Sequence, residues 1–165
     1  MSKLALEIAE ITLDPKASQI IDLTFFKKNF RFKCQRCAIF CCNLGGPQLS
    51  IKDIEKLRKN GYNPEIYVDN AKKKDGNKQF MKEKEDGSCI FLKYDPESKK
   101  HACTTYKISP SVCRLYPFEF LLNNRNTGTL RIIPCCRGLN ASDGKIVDHK
   151  FIKSNLLRVI LDSID

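Results

Sequence analysis

Apolar positions along the chain come in short runs punctuated by turn residues, and each run carries its own period. The clearest lies at 50–61. Ser50 with an acid three residues on at Asp53, apolar Ile51, Ile54 and Leu57, basic Lys56, Arg58 and Lys59, and a closing Gly61 together predict a short amphipathic helix. Asn63 followed by Pro64 predicts a second helix start. Residues 89–94 and 101–106 read as two strands around the turn Asp95-Pro96-Glu97-Ser98, which brings Cys89 close to Cys103. Residues 118–122 and 129–133 read as a second hairpin around the Asn/Gly-rich segment 123–128. Between the hairpins, Ser109-Pro110 opens a short helix carrying Cys113, and Pro117 ends it. Asp148 caps a last helix whose apolar positions 152, 156, 159, 160 and 164 form a stripe.

Two stretches resist assignment. In residues 1–33, Leu4, Leu6 and Ile8 alternate as in a strand, while Leu4, Ile8 and Ile11 fit one helix face. From Asn70 to Asp86 the apolar residues thin to Ala71, Phe80 and Met81 among Lys72, Lys73, Lys74, Lys78, Lys82 and Lys84, which predicts a solvated loop or polar helix face. Short hairpins mixed with short helices, with no repeat and no long linker, predict an α+β fold in a small single domain over residues 1–165. Its cysteine-rich, metal-binding region is expected at 30–144, with a packing helix at 148–163. A chain of 165 residues, 42% hydrophobic and 29% charged, has enough apolar surface for such a core and is neither low-complexity nor collagen-like.

Cysteine changes the picture. There are nine, an odd number. Glu7 and Glu10 interrupt the place where a secretory h-region would stand, and no run approaches the roughly 20 apolar residues that span a bilayer. The expectation is a cytoplasmic chain with no membrane partner, in which thiols stay reduced and clustered cysteines hold metal.

Cys34-Gln35-Arg36-Cys37 is a C-x2-C knuckle, and Cys41-Cys42 follow three residues later. Four cysteines in nine residues are denser than core packing requires, since buried free cysteines are ordinarily scattered. Adjacent thiols on an extended backbone diverge, so Cys41 and Cys42 are open to serving two centres. Cys89, Cys103, Cys113 and one of Cys135 or Cys136 converge as a second quartet if both hairpins form, although each taken singly is also compatible with a small core residue. Zinc takes four thiolate or imidazole donors and an iron-sulfur cluster takes four thiolates, so eight cysteines suit two centres of either kind.

At these residues the chain resembles the zinc- or iron-chelating cysteine-cluster proteins of the CxxCxxCC or YkgJ-like family. Phe32 precedes the first cluster; Gly87-Ser88-Cys89-Ile90-Phe91-Leu92 is similar to the family's Gly-x-Cys-x-Phe-Leu segment; and Cys103-Thr104-Thr105-Tyr106 with Pro110-Ser111-Val112-Cys113-Arg114-Leu115-Tyr116-Pro117-Phe118 follows its next run. The closing Cys-x-Gly resembles Cys136-Arg137-Gly138, so the resemblance implies metal ligands at Cys34, Cys37, Cys41, Cys42, Cys89, Cys103, Cys113 and Cys136, with Cys135 spare. Three departures stand out. One extra residue separates Cys37 from Cys41, Ala38 stands where the family usually has Gly, and Ser109 replaces an Arg before Pro110.

Around the cysteines, Arg114 and Arg137 each follow a candidate ligand and could stabilise a thiolate; His101 shares a strand face with Cys103; His149 is expected at the surface. The expected function is a metal-binding protein holding an iron-sulfur cluster and/or zinc through two cysteine quartets, with iron-sulfur ahead because the donors are all thiolate without histidine spacing and Pro117 and Pro134 lie near them; an iron-sulfur centre implies redox or electron transfer and a redox partner protein. The formal charge of +10 and the lysine run keep open a nucleic-acid-binding module with structural zinc. A third alternative is a modifying enzyme related to the lysine N-methylases, which share a cysteine pattern, but no Gly-rich nucleotide loop supports methyl transfer.

Overall fold

The computed structural model describes residues 5–69 and 79–164. In chain order its elements are β1 (Leu6–Asp14), β2 (Gln19–Phe25), β3 (Arg31–Phe32), β4 (Gln48–Leu49), α1 (Ile51–Lys59), α2 (Pro64–Tyr67), β5 (Val68–Asp69), β6 (Gln79–Met81), β7 (Leu92–Asp95) and β8 (Lys100–Cys103). There follow a 3₁₀ turn (Tyr106–Ile108), α3 (Ser111–Leu115), β9 (Phe118–Leu122), β10 (Thr127–Ile132), β11 (Lys145–Ile146), α4 (His149–Phe151), a π-helical turn (Ile152–Leu156) and α5 (Leu157–Ile164). Short antiparallel sheets with short helices make this an α+β protein. The chain divides into two compact units, residues 36–114 and residues 1–35 with 115–165.

The unit made of the two chain ends is built on an antiparallel sheet of order β2-β1-β10-β9. Its N-terminal segment is strand, and its register explains why the sequence pattern was ambiguous. A bulge between Glu7 and Ala9 buries both Ile8 and Ala9, after which Ile11 and Leu13 resume the alternation. Ile8, Ile11, Leu13, Leu130 and Ile132 pack with Ile152, Leu156 and Ile160 of the C-terminal helical run. Asp148 caps that run by accepting from the Phe151 N–H at 2.8 Å. The π turn then widens the helix, so Leu157 and Leu161 are buried beside the expected 152, 156, 159 and 160.

In the central unit the 50–61 helix forms as α1. Ser50 and Asp53 complete a reciprocal capping box, and Gly61 follows the helix in the left-handed region at φ +88°. Asn63 caps α2 by accepting from the Glu65 N–H at 3.1 Å. Strand β6, at Gln79–Met81, was not legible among the lysines; it pairs with both β4 and β5. Gly46 is needed for that pairing, because a Cβ there would lie 1.8 Å from the Met81 carbonyl oxygen. The β7–β8 hairpin runs in the register Leu92↔Cys103 to Asp95↔Lys100. Leu57, Tyr67, Met81, Phe91 and Leu92 form this unit's core, with Cys89 among them and Cys41, Cys42 and Cys103 packed against it.

Candidate metal centre

The knuckle segment is shaped by two left-handed residues, Arg36 at φ +53° and Ala38 at φ +58°. Arg36 is tied to β8 twice: its carbonyl accepts from the His101 N–H at 3.1 Å and its Nε donates to the His101 carbonyl at 3.0 Å. The chain then closes a tight turn in which the Cys42 and Asn43 N–H groups both donate to the Ala38 carbonyl, at 3.3 and 2.9 Å. Cys41 and Cys42 therefore sit on a turn and not on an extended segment. Their sulfurs are 3.7 Å apart, with the Cys42 thiol donating to Cys41. A tetrahedral metal with metal–sulfur bonds of about 2.3 Å has an S···S edge of about 3.8 Å. The adjacent pair matches one edge of such a site, so the divergence expected for an extended backbone does not apply.

Three more cysteines are brought to this pair. The Cys89 N–H donates to the Cys42 carbonyl at 2.8 Å, which fixes the 87–92 segment to the knuckle turn, and the Cys89 thiol points at the Met81 thioether at 3.3 Å. Cys103 ends β8; its sulfur is 3.3 Å from the hydroxyl of buried Thr105, and it lines a shallow groove with Tyr62 and Tyr106. Cys113 lies on α3, whose start is held by a side chain that sequence reasoning noticed only as a helix cap. Asp53 is 5% exposed, and its carboxylate accepts from the Ser50 N–H and hydroxyl at 3.1 and 2.8 Å. It also accepts from the Ser111 N–H and hydroxyl at 2.9 and 3.4 Å.

The electrostatics show that these thiols sense one another. Cys41 is drawn down to about 7, chiefly by the hydrogen bond it receives from Cys42, which correspondingly keeps its own proton. Burial pushes Cys113 far up, and the nearby Cys89, Cys103, Asp53 and Cys41 charges push the same way. Burial likewise raises Cys89, with Cys103 adding to it. Five thiols linked through their neighbours, with Cys42, Cys89 and Cys113 each costly to ionise alone, form a donor set whose chemistry fits a thiophilic cation, because the cation offsets both burial and repulsion. Among the described residues no three Cys, His, Asp or Glu side chains already stand as a set that could hold an ion. The fit is one of donor chemistry and backbone placement.

Cys41 and Cys42 lie in one unit with Cys89, Cys103 and Cys113. Cys37 is half-buried in the same unit. Cys34, Cys135 and Cys136 belong to the other unit, where Cys34 and Cys135 are exposed. There the Gly138 N–H donates to the Cys136 sulfur at 3.4 Å, and Gly138 accepts from the Lys33 N–H at 3.0 Å. A Cβ on Gly138 would meet the Lys33 carbonyl at 2.5 Å. The His101 ring packs on Tyr94, and Arg114 Nε donates to the Ser109 carbonyl at 3.1 Å. Lys72, Lys73, Lys74 and Lys78 lie outside the described residues, while Lys82 and Lys84 donate to the Glu65 and Leu92 carbonyls. No helix among the described residues is long and apolar enough to cross a membrane.

Residues 33–147 match the family model CxxCxxCC, described as "Putative zinc- or iron-chelating domain". The chain belongs to this family. It is also 32% identical over 145 residues to an uncharacterized protein of Methanocaldococcus jannaschii, covering 83% of this chain and 74% of that one. No solved structure matches. Two departures from the CxxCxxCC pattern now have physical readings. Ala38 holds the left-handed backbone that the family's usual Gly adopts without strain, and Ser109, where Arg is usual, is buried with its hydroxyl donating to the Tyr106 carbonyl at 3.0 Å.

Proposed function

We propose that the chain holds a mononuclear metal ion, with zinc the best-suited occupant, in an all-sulfur site drawn from Cys41, Cys42, Cys89, Cys103 and Cys113. The observation that carries this reading is the 3.7 Å separation of the Cys41 and Cys42 sulfurs. Two thiolates at a tetrahedral edge share one metal atom, whereas four cysteines around a four-iron cluster are held apart by the cluster itself. Bound zinc supplies a folding constraint and no redox chemistry. The protein's part is to bring three sequence-distant segments to one point: the knuckle turn, the 87–103 hairpin and α3. Cys89 and Cys113 would complete the donor set of the Cys41–Cys42 pair, and the ion would supply a tetrahedral constraint on the segments that carry them. Cys34, Cys37 and Cys136 are proposed as donors on the family pattern alone.

The test is elemental analysis of protein purified without oxygen, with sulfide determination and a visible spectrum. The expected result is colourless protein with stoichiometric zinc and no sulfide, zinc content falling in Cys42→Ser and Cys113→Ser and unchanged in Cys135→Ser. Brown protein with matching iron and sulfide would replace this reading with the iron-sulfur one and its redox partner. Metal well below stoichiometry and indifferent to the cysteine changes would remove the metal reading altogether.

A further inference from the structure

We propose that Asp53 is the positioning residue of this centre, registering α3, and with it Cys113, against α1. The inference rests on the reading of Cys113 as a donor. A buried carboxylate ordinarily costs free energy, and here it is retained because it accepts four hydrogen bonds: two from Ser50 at the start of α1 and two from Ser111 at the start of α3. Those four bonds direct the Asp53 carboxylate at the two helix starts, which is the part of a positioning group. The two helix starts it joins are 58 residues apart in sequence, and Cys113 follows Ser111 by half a turn, its own N–H donating to the Pro110 carbonyl at 3.0 Å. A helix of five residues such as α3 has little intrinsic stability, so its placement depends on what holds its ends. Asp53 holds one end; a displacement there carries the Cys113 sulfur with it.

Capping alone does not require aspartate. Glutamate at the third helical position closes a capping box with serine equally well. Aspartate is shorter by one methylene, and the shorter reach keeps the carboxylate close to α1 while its other oxygen meets Ser111. Asp53→Glu therefore separates the two roles: it keeps charge and cap but spoils the register to α3.

Cobalt(II) titration of the metal-free, reduced full chain reads the difference, because tetrahedral thiolate–cobalt sites give charge-transfer and ligand-field bands. The expected outcome is that Asp53→Glu binds cobalt about 10- to 100-fold more weakly than the unaltered chain, the range seen when outer partners of metal ligands are removed, with an altered ligand-field band at saturation. Ser50→Ala, which removes the hydroxyl bonds on the α1 side and leaves both bonds from Ser111, should lower thermal stability and leave the saturated spectrum unchanged. Asp53→Asn, isosteric and uncharged, gives the same readout should the longer side chain disrupt the buried site. Unaltered cobalt affinity and spectrum in the Asp53 variants, or an equal loss in Ser50→Ala, would overturn the inference. A charge-transfer band absent from the unaltered chain, or indifferent to Cys113→Ser, would instead overturn the underlying assignment of the donors.

Discussion

The two units solve the same stability problem with different materials. The unit of the chain ends buries sixteen apolar residues of its described sequence around a four-stranded sheet and a helical run, a core large enough to be held by burial. The central unit buries nine among its described residues, on strands of two to four residues and three short helices or part-helices, and its core includes a cysteine. Short elements leave little apolar area to offset chain entropy, and small folds of this kind are ordinarily stapled by metal or disulfides. What the difference teaches is where a bound ion would matter: the sulfur cluster sits in the unit with the smaller core.

The largest effect that would break this contrast is metal removal. Structural zinc contributes on the order of 10 kcal/mol to the folding of small zinc-dependent peptides. Treatment with a strong chelator should therefore collapse hydrogen-exchange protection in peptides from 79–113 by orders of magnitude while sparing those from β1 and α5. Equal loss in both units, or none in either, would erase the distinction drawn here. Next in size are core truncations in the sheet unit. Leu130→Ala and Ile160→Ala remove fully buried side chains and should each cost about 2–5 kcal/mol in chemical unfolding, with zinc per chain unchanged.

Smaller effects sharpen the comparison locally. Ala38 is buried at φ +58°, a conformation that costs a β-branched residue most. Ala38→Val should cost about 1–3 kcal/mol and weaken metal retention, whereas Ala38→Gly should stay within about 1 kcal/mol of the unaltered chain, read by the same unfolding curves. The smallest expected change is Asp148→Ala. Loss of this cap should lower stability by about 1 kcal/mol, seen as faster exchange at 149–152 and no change in metal content.

Much of the local structure was legible from residues 50 onward because its signals are local. The capping box at Ser50 and Asp53, the Pro64 helix start, the 95–98 turn and the Asp148 cap each act within a few residues, and each formed where the pattern placed it. The ambiguous N-terminus was decided by a bulge, which breaks period 2 and so hides a strand from any periodicity argument. Strand β6 was hidden by the lysines around it, two of which, Lys82 and Lys84, donate to carbonyls within the unit.

By itself the sequence determined the cysteine chemistry, the family and the mixed α+β character, since residue types, motif order and turn signals are properties of the chain. Only the tertiary structure decided which cysteine-bearing segments are tied together. Cys41 and Cys42 share a turn because of hydrogen bonds to the Ala38 carbonyl, the Cys89 N–H donates to the Cys42 carbonyl, and the start of the helix that carries Cys113 is hydrogen-bonded to Asp53, 60 residues before that cysteine. A metal site is an equilibrium of distances between segments, and distances across 50 residues of chain are set by packing and buried hydrogen bonds that no spacing along the sequence encodes.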